Sequence, residues 1–173
     1  MKSSKILVVL VTLALFVFGL AYVAMGQEKA TPQEIVKTVQ DAAAALAKTG
    51  EPGLAEFGKK AAPWVWKDTY IFVLDCTKGV MAAHPMKPEL VGKDILAMKD
   101  TKGNLFFGQL CEATNKPAGV WVEYWWPKPG QTGGFRKISY ALKAGDTPYV
   151  VGAGIYDDTA TTSDLAKLAG GGK

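Results

Sequence analysis

The chain has 173 residues, 49% of them apolar, and a formal net charge of +4. This length suits one ordinary domain with a real core. The balanced charge and the lack of any Arg/Lys block argue against a nucleic-acid partner, which needs a phosphate track. The first 26 residues read as an export segment: a basic "MKSSK", then 21 uncharged residues from Ile6 to Gly26, then the polar "QEKATPQE". Small residues at Ala24 and Gly26 favour signal-peptide cleavage before Gln27, while the length of the run keeps an N-terminal membrane anchor as the alternative. Either way, the remainder is expected outside the cytoplasm, in the periplasm or its equivalent. Loss of Lys2 and Lys5 with the signal would bring the charge to +2.

Beyond this segment, Thr31-Pro32-Gln33-Glu34 combines an N-cap hydroxyl, proline at N1 and glutamate at N3, the signature of a capping box. Ile35, Val39, Ala42 and Leu46 then recur at helical spacing, and Gly50 ends the helix. The narrow, alanine-rich stripe fits a helix laid across a sheet, with a dimer-forming helix as the alternative. A short helical turn is expected around Leu54 and Phe57, broken before Pro63. From Thr69 the texture changes. "TYIFVLD", "GVMAAH", "GVWVEYWW", "FRKISYAL" and "PYVVGAGIYD" are rich in β-branched and aromatic residues and bounded by turn formers, so each is read as a strand. The first two are close enough to form a hairpin, and the last three are expected as consecutive antiparallel neighbours. Between them lies an excursion with helical pieces expected at Asp94–Met98 and near Asn104–Ala113. Residues 159–173 are read as a loosely held, flexible tail with a small helical segment. The fold expected is α+β: a long N-terminal helix on one face of a five-stranded antiparallel sheet, with the excursion over the other face.

Cys76 and Cys111 make an even count. Outside the cytoplasm this favours a disulfide, ahead of two buried thiols or a reactive site. One histidine and two distant cysteines do not make a zinc site, and "YDD" lacks the alternating oxygens of a calcium loop, so no metal or cofactor is expected. No nucleophile context accompanies the lone imidazole, and the glycine cluster "GQTGG" reads as a hairpin loop. These absences argue against an enzyme.

The succession "YIFVLDCTKGVMAAHPMKPELVGKD", "DTKGNLFF", "WVEYWWPKPG", "KISY" and "VVGAGIYDD" resembles single Cache domains, the PAS-like extracytoplasmic sensor modules of bacterial chemoreceptors and kinases. The resemblance runs from about Glu34 to Asp158 and sets the domain at residues 31–158. It implies a sheet whose open face binds a small organic ligand, often a short-chain carboxylate. It also implies a membrane sensor kinase or chemoreceptor as partner, with the domain a monomer or weak homodimer. Family members commonly continue into a second membrane helix and a cytoplasmic module, whereas this sequence ends at Gly-Gly-Gly-Lys173. The expectation is therefore a stand-alone binding component of signal transduction. Five tryptophans leave a carbohydrate-binding module as the alternative, and a structural docking module without small-molecule sensing is a third reading.

Alternation places Val120, Val122, Tyr124 and Trp126 on one face of their strand, opposite Trp121, Glu123 and Trp125. Tyr124 and Trp126 are therefore candidate pocket walls, against the plainer reading that they only pack. Lys137 and Tyr140 are both candidates as well, although a regular strand points them to opposite faces unless a bulge shifts the register. Gly152 and Gly154 bare one face of the last strand, either for close packing of a helix or for a ligand beneath Tyr156. His84 is expected at a strand end on the side of Val80 and Ala82. A lone histidine there is more often structural than a ligand contact. The resemblance raises the ligand role: a hydrogen-bond donor to a carboxylate oxygen, with Lys137 as charge partner and Tyr124 or Tyr140 adding a hydroxyl.

Overall fold

The computed structural model describes residues 27–169. The expected signal or anchor segment lies outside the described residues. The long helix α1 (Pro32–Thr49) opens with the full capping box: Thr31 Oγ1 accepts from Glu34 N–H at 3.3 Å, and Glu34 Oε2 accepts from Thr31 N–H at 2.8 Å. Gly50, at φ +59°, closes it by donating to Leu46 O. A second short helix, α2 (Leu54–Phe57), follows where a helical turn was expected.

Strands β1 (Val65–Trp66) and β2 (Thr69–Tyr70) form a small separate ribbon. The main sheet contains β3 (Phe72–Asp75), β4 (Val80–Ala83), β5 (Val120–Trp126), β6 (Phe135–Lys143) and β7 (Tyr149–Ile155), in the order β4-β3-β7-β6-β5. Every pairing in it is antiparallel. The hairpin β3–β4 and the meander β5–β6–β7 arise as their short loops predict. The first strand is shorter than the sequence suggests, because the chain breaks at Ile71 between β2 and β3.

The central strand β7 is buried along its whole length, which fits its apolar run without alternation. Ile35, Val39, Ala42 and Leu46 of α1 join one core with Val73, Ile138, Val151 and Ala153. Each fully buried Ile, Val or Leu side chain contributes roughly 1.5–3 kcal/mol there. The opposite face carries a second core of Phe72, Leu74, Val122, Tyr124, Ala141 and Val150, roofed by Ile95, Phe106, Phe107 and Leu110 of the excursion.

The excursion departs from expectation in one respect. Asp94–Met98 is not helical. Met81 N–H donates to Lys93 O, Gly92 N–H to Met81 O and Ile95 N–H to Gly79 O, so residues 92–95 cover the free edge of β4. Asp94 Oδ1 also accepts from Leu96 N–H at 2.8 Å, a local turn that competes with helix. The later piece is helical: α3 (Phe107–Cys111) runs on into a 3₁₀ turn at Glu112–Asn115. Cys76 and Cys111 are bonded, with Cα atoms 5.6 Å apart, and tie the β3–β4 turn to α3.

The segment expected to be a loose tail carries α4 (Thr162–Ala169), whose Leu165 is buried in the core under α1. Arg136 fixes its approach by donating to Asp157 O and Ala160 O, at 2.6 and 2.8 Å, and by pairing with Glu123. The "YDD" motif belongs to the same turn, since Asp157 Oδ1 accepts from the backbone of Thr159 and Ala160.

Candidate functional site

The side of the sheet away from α1 holds a cavity between Tyr70, Phe72, Met81, His84, Phe106, Phe107, Tyr124 and Trp126. Its free volume is about 10 Å³, room for roughly one water. Regular alternation delivers most of these walls. Tyr70 and Phe72 come from β2 and β3, and Tyr124 and Trp126 from β5. Phe106 stacks on Tyr124 with ring centroids 4.0 Å apart and meets Trp126 edge-on at 5.6 Å.

His84 reaches this cavity through a bulge. Val73 pairs with Ala83 but Leu74 with Met81, which leaves Ala82 as an extra residue. Ala82 and Ala83 both lie against the α1-side core, and the chain regains the other face at His84. The histidine therefore shares its side with Met81, not with Ala82 as strict alternation predicts. Its ring is 2% exposed and tilts against Tyr70 at 4.9 Å. Lys87 N–H donates to His84 Nδ1 at 3.0 Å. A neutral imidazole that accepts at Nδ1 carries its proton on Nε2, which is left as a donor. Burial, then the charges of Lys137 and Lys87, hold the ring neutral by bringing its pKa down to about 3.

Lys137, on β6 beside Tyr124 of β5, points to the same face. Its side chain is fully buried, and its Nζ has no hydrogen-bond partner among the described residues. The nitrogen lies 4.1 Å from the Tyr70 ring centroid, 5.1 Å from that of Tyr156 and 5.7 Å from that of Phe72. Burial brings its pKa down to about 7, with Asp68 opposing the shift. Burial also raises the hydroxyls of Tyr70, Tyr124 and Tyr156, so all three stay protonated. Tyr124 Oη shares a hydrogen bond with Ser139 Oγ at 2.8 Å, and Tyr156 donates to Pro127 O at 2.7 Å.

Of the residues singled out from sequence, His84, Tyr124 and Trp126 line the cavity, and Lys137 lies against its Tyr70 and Phe72 walls without lining it. Tyr140 does neither. The pairing of β6 is unbroken on both sides, so Tyr140 alternates away from Lys137 into the α1-side core, where it packs on Trp121. Its hydroxyl is spent on Ala118 O at 2.9 Å. The bare face of Gly152 and Gly154 is the cavity side, not the helix side. A Cβ at Gly152 would meet the Phe72 ring at 2.5 Å, and one at Gly154 would meet Ser139 Oγ at 2.3 Å. These glycines seat the floor of the site.

Sequence reasoning missed Tyr70, Phe72, Phe106 and Phe107. The first two carried a usable signal: they alternate with Ile71 and Val73, so they share one face of the strand. The tryptophans do not form a sugar platform. Trp64 packs on Phe57, Trp66 against the α1-side core and Trp121 on Tyr140, while Trp126 closes the cavity and Lys102 covers Trp125 at 3.5 Å.

The family model described as a Cache domain (dCache_2) matches residues 65–161. A methyl-accepting chemotaxis protein of Pseudomonas putida, McpP, is 30% identical over 91 residues, which cover 53% of this chain and 16% of that protein. The sensor histidine kinase MctS of Rhizobium johnstonii is 32% identical over 104 residues, covering 60% of this chain and 22% of the kinase. The chain thus aligns with less than a quarter of the length of either relative. Among solved structures, a periplasmic sensor domain of a chemotaxis protein is similar at a TM-score of 0.56 and 27% identity, covering 71% of this chain and 88% of that one. A Cache chemosensory domain described for carboxylic acid recognition is similar at a TM-score of 0.53 and 25% identity, with 71% and 86% covered. No helix among the described residues is long and apolar enough to cross a membrane.

Proposed function

Because the chain belongs to the Cache domain family, we propose that it is an extracytoplasmic sensory domain whose cavity binds a short-chain organic acid. The observation that carries this reading is Lys137, a fully buried amine with no hydrogen-bond partner among the described residues. A buried ammonium is costly unless paired, so the site is built for an anion that arrives later. The remaining groups suit a carboxylate with a small apolar body. His84 Nε2–H can donate to one oxygen, and Phe72, Met81, Phe106, Phe107 and Trp126 surround the alkyl end. A neighbouring fold described for carboxylic acid recognition supports the same ligand class.

The free space of about 10 Å³ is smaller than any organic acid, so binding displaces part of the wall. The Tyr70 ring, between His84 and Lys137, and the roof at Phe106 and Phe107 are the parts that move. The relatives further suggest that the occupied domain reports to a chemoreceptor or sensor kinase. A thermal-shift screen with short monocarboxylates, dicarboxylates, amino acids and amines tests the reading. Ligands of the native state raise the melting temperature by mass action. Short monocarboxylates should do so; a response confined to amines would overturn the proposal.

A further inference from the structure

We infer that the site takes up its carboxylate together with one proton, Lys137 passing from neutral amine to ammonium as the anion arrives. This rests on the carboxylate reading above and adds a coupling that it does not require. The geometry supplies the argument. Lys137 Nζ is enclosed by the rings of Tyr70, Phe72 and Tyr156, which offer it no acceptor in hydrogen-bonding position.

The titratable groups around it come from every element that packs there. Tyr70 on β2, Tyr124 on β5 and Tyr156 beyond β7 are neutral phenols held protonated by burial. His84 beyond β4 is neutral, held so by burial and by the charges of Lys137 and Lys87. Asp68 is the one carboxylate that acts on Lys137, and it is already engaged by Ala30 N–H at 2.8 Å. Asp68 acts on the amine only as a nearby charge that opposes the shift, and burial outweighs it and brings the amine's pKa down to about 7.

An ionised carboxylate entering this space changes the balance, because an opposite charge at contact distance favours the ammonium. The proton comes from solvent or buffer, goes to Nζ, and no bond other than N–H forms or breaks. The filled site is then a neutral ion pair. The same count sets its selectivity. One convertible amine balances one carboxylate, and Lys87, a half-buried lysine whose Nζ lies 5.7 Å from the Trp126 ring centroid, is a surface-side charge and not a second fully buried one.

Two measurements on the wild-type domain decide the matter, with acetate and propionate as probes and succinate as the dianion control. Calorimetry in buffers of different ionisation enthalpy, at about pH 8.5, should show uptake of close to one proton per bound monocarboxylate, and affinity should fall roughly tenfold per pH unit above neutrality. Separately, NMR titration of the lysine side chains in the ligand-free domain should show one lysine losing its charge near neutrality, absent in Lys137→Arg. Binding of acetate or propionate without proton uptake would overturn the inference and leave the carboxylate reading standing. A ligand-free Lys137 that titrates with the surface lysines would overturn it even if no acid in the panel binds, whereas failure of every acid to bind removes the carboxylate reading itself.

Discussion

His84 is placed by a single extra residue, and this makes its role separable from its strand. Its Nδ1 is occupied by Lys87 N–H, so any contribution to a ligand passes through Nε2. A hydrogen bond to a charged acceptor is worth about 1.5–3 kcal/mol, so His84→Ala should weaken acid binding roughly ten- to a hundredfold while the domain stays folded. Calorimetry on a confirmed ligand checks this, and unchanged affinity in a folded variant would return the residue to a packing role. Deleting Ala82 tests the geometry behind it. Met81, Ala83 and His84 then alternate plainly against Leu74 and Val73, so His84 should keep the cavity side and calorimetry on the folded variant should find acid binding retained.

At the scale of elements, the capping box, the α1 stripe and the five strands were legible because each rests on local chemistry. Thr31, Pro32 and Glu34 act within one turn, and β5 alternates cleanly. The alternation of β6 also held a correct warning, since it separates Lys137 from Tyr140 without a break. What could not be read were contacts made at a distance. Asp94–Met98 has acceptable helix-forming residues, but the free edge of β4 draws its backbone into pairing. Nor does the sequence near Ala82 announce a bulge, which arises from pairing with β3. The roof depends on another such contact. Asp100 Oδ1 accepts from Lys102 and Asn104 N–H, and Oδ2 accepts from Trp125 N–H, joining the "DTKGN" turn to β5. Burial alone would raise this carboxyl, but the bonds from Asn104, Trp125 and Lys102 outweigh it and hold its pKa low. Its contribution is therefore present above the unfolded pKa and is lost as pH falls through the lower folded value. Asp100→Ala should cost about 2–3 kcal/mol in chemical denaturation, with the deficit shrinking in acid.

For the whole molecule, the buried amine and imidazole set the pH response of the ligand-free state. His84 and Lys137 both have depressed folded values, about 3 and about 7, so the unfolded chain binds more protons than the native one above them. Stability should rise with pH from about 3 until the unfolded histidine is neutral, and again from about 7 until the unfolded lysine is neutral. Lys137→Met should remove the second rise, raising the melting temperature most at neutral and lower pH while abolishing acid binding. A melting temperature that falls in this variant would show that Lys137 stabilises the empty domain. Function and stability here pull in opposite directions, as is common where a site is kept ready for a partner.

The Cys76–Cys111 bond has a consequence for how the molecule comes apart. Its sulfurs are 35 positions apart in sequence, and the closed ring between them contains β4, His84 and both roof phenylalanines. The bond adds about 3–4 kcal/mol in the chain-entropy account. Within the ring, Lys93, Lys99 and Lys102 lie on a stretch whose neighbours Leu96 and Leu105 are half exposed. Brief trypsin treatment should cut there first, yet the nicked protein should run as one full-length band on a denaturing gel. Two fragments should separate only after a thiol is added. Two bands without a thiol would mean that the ring is open in solution.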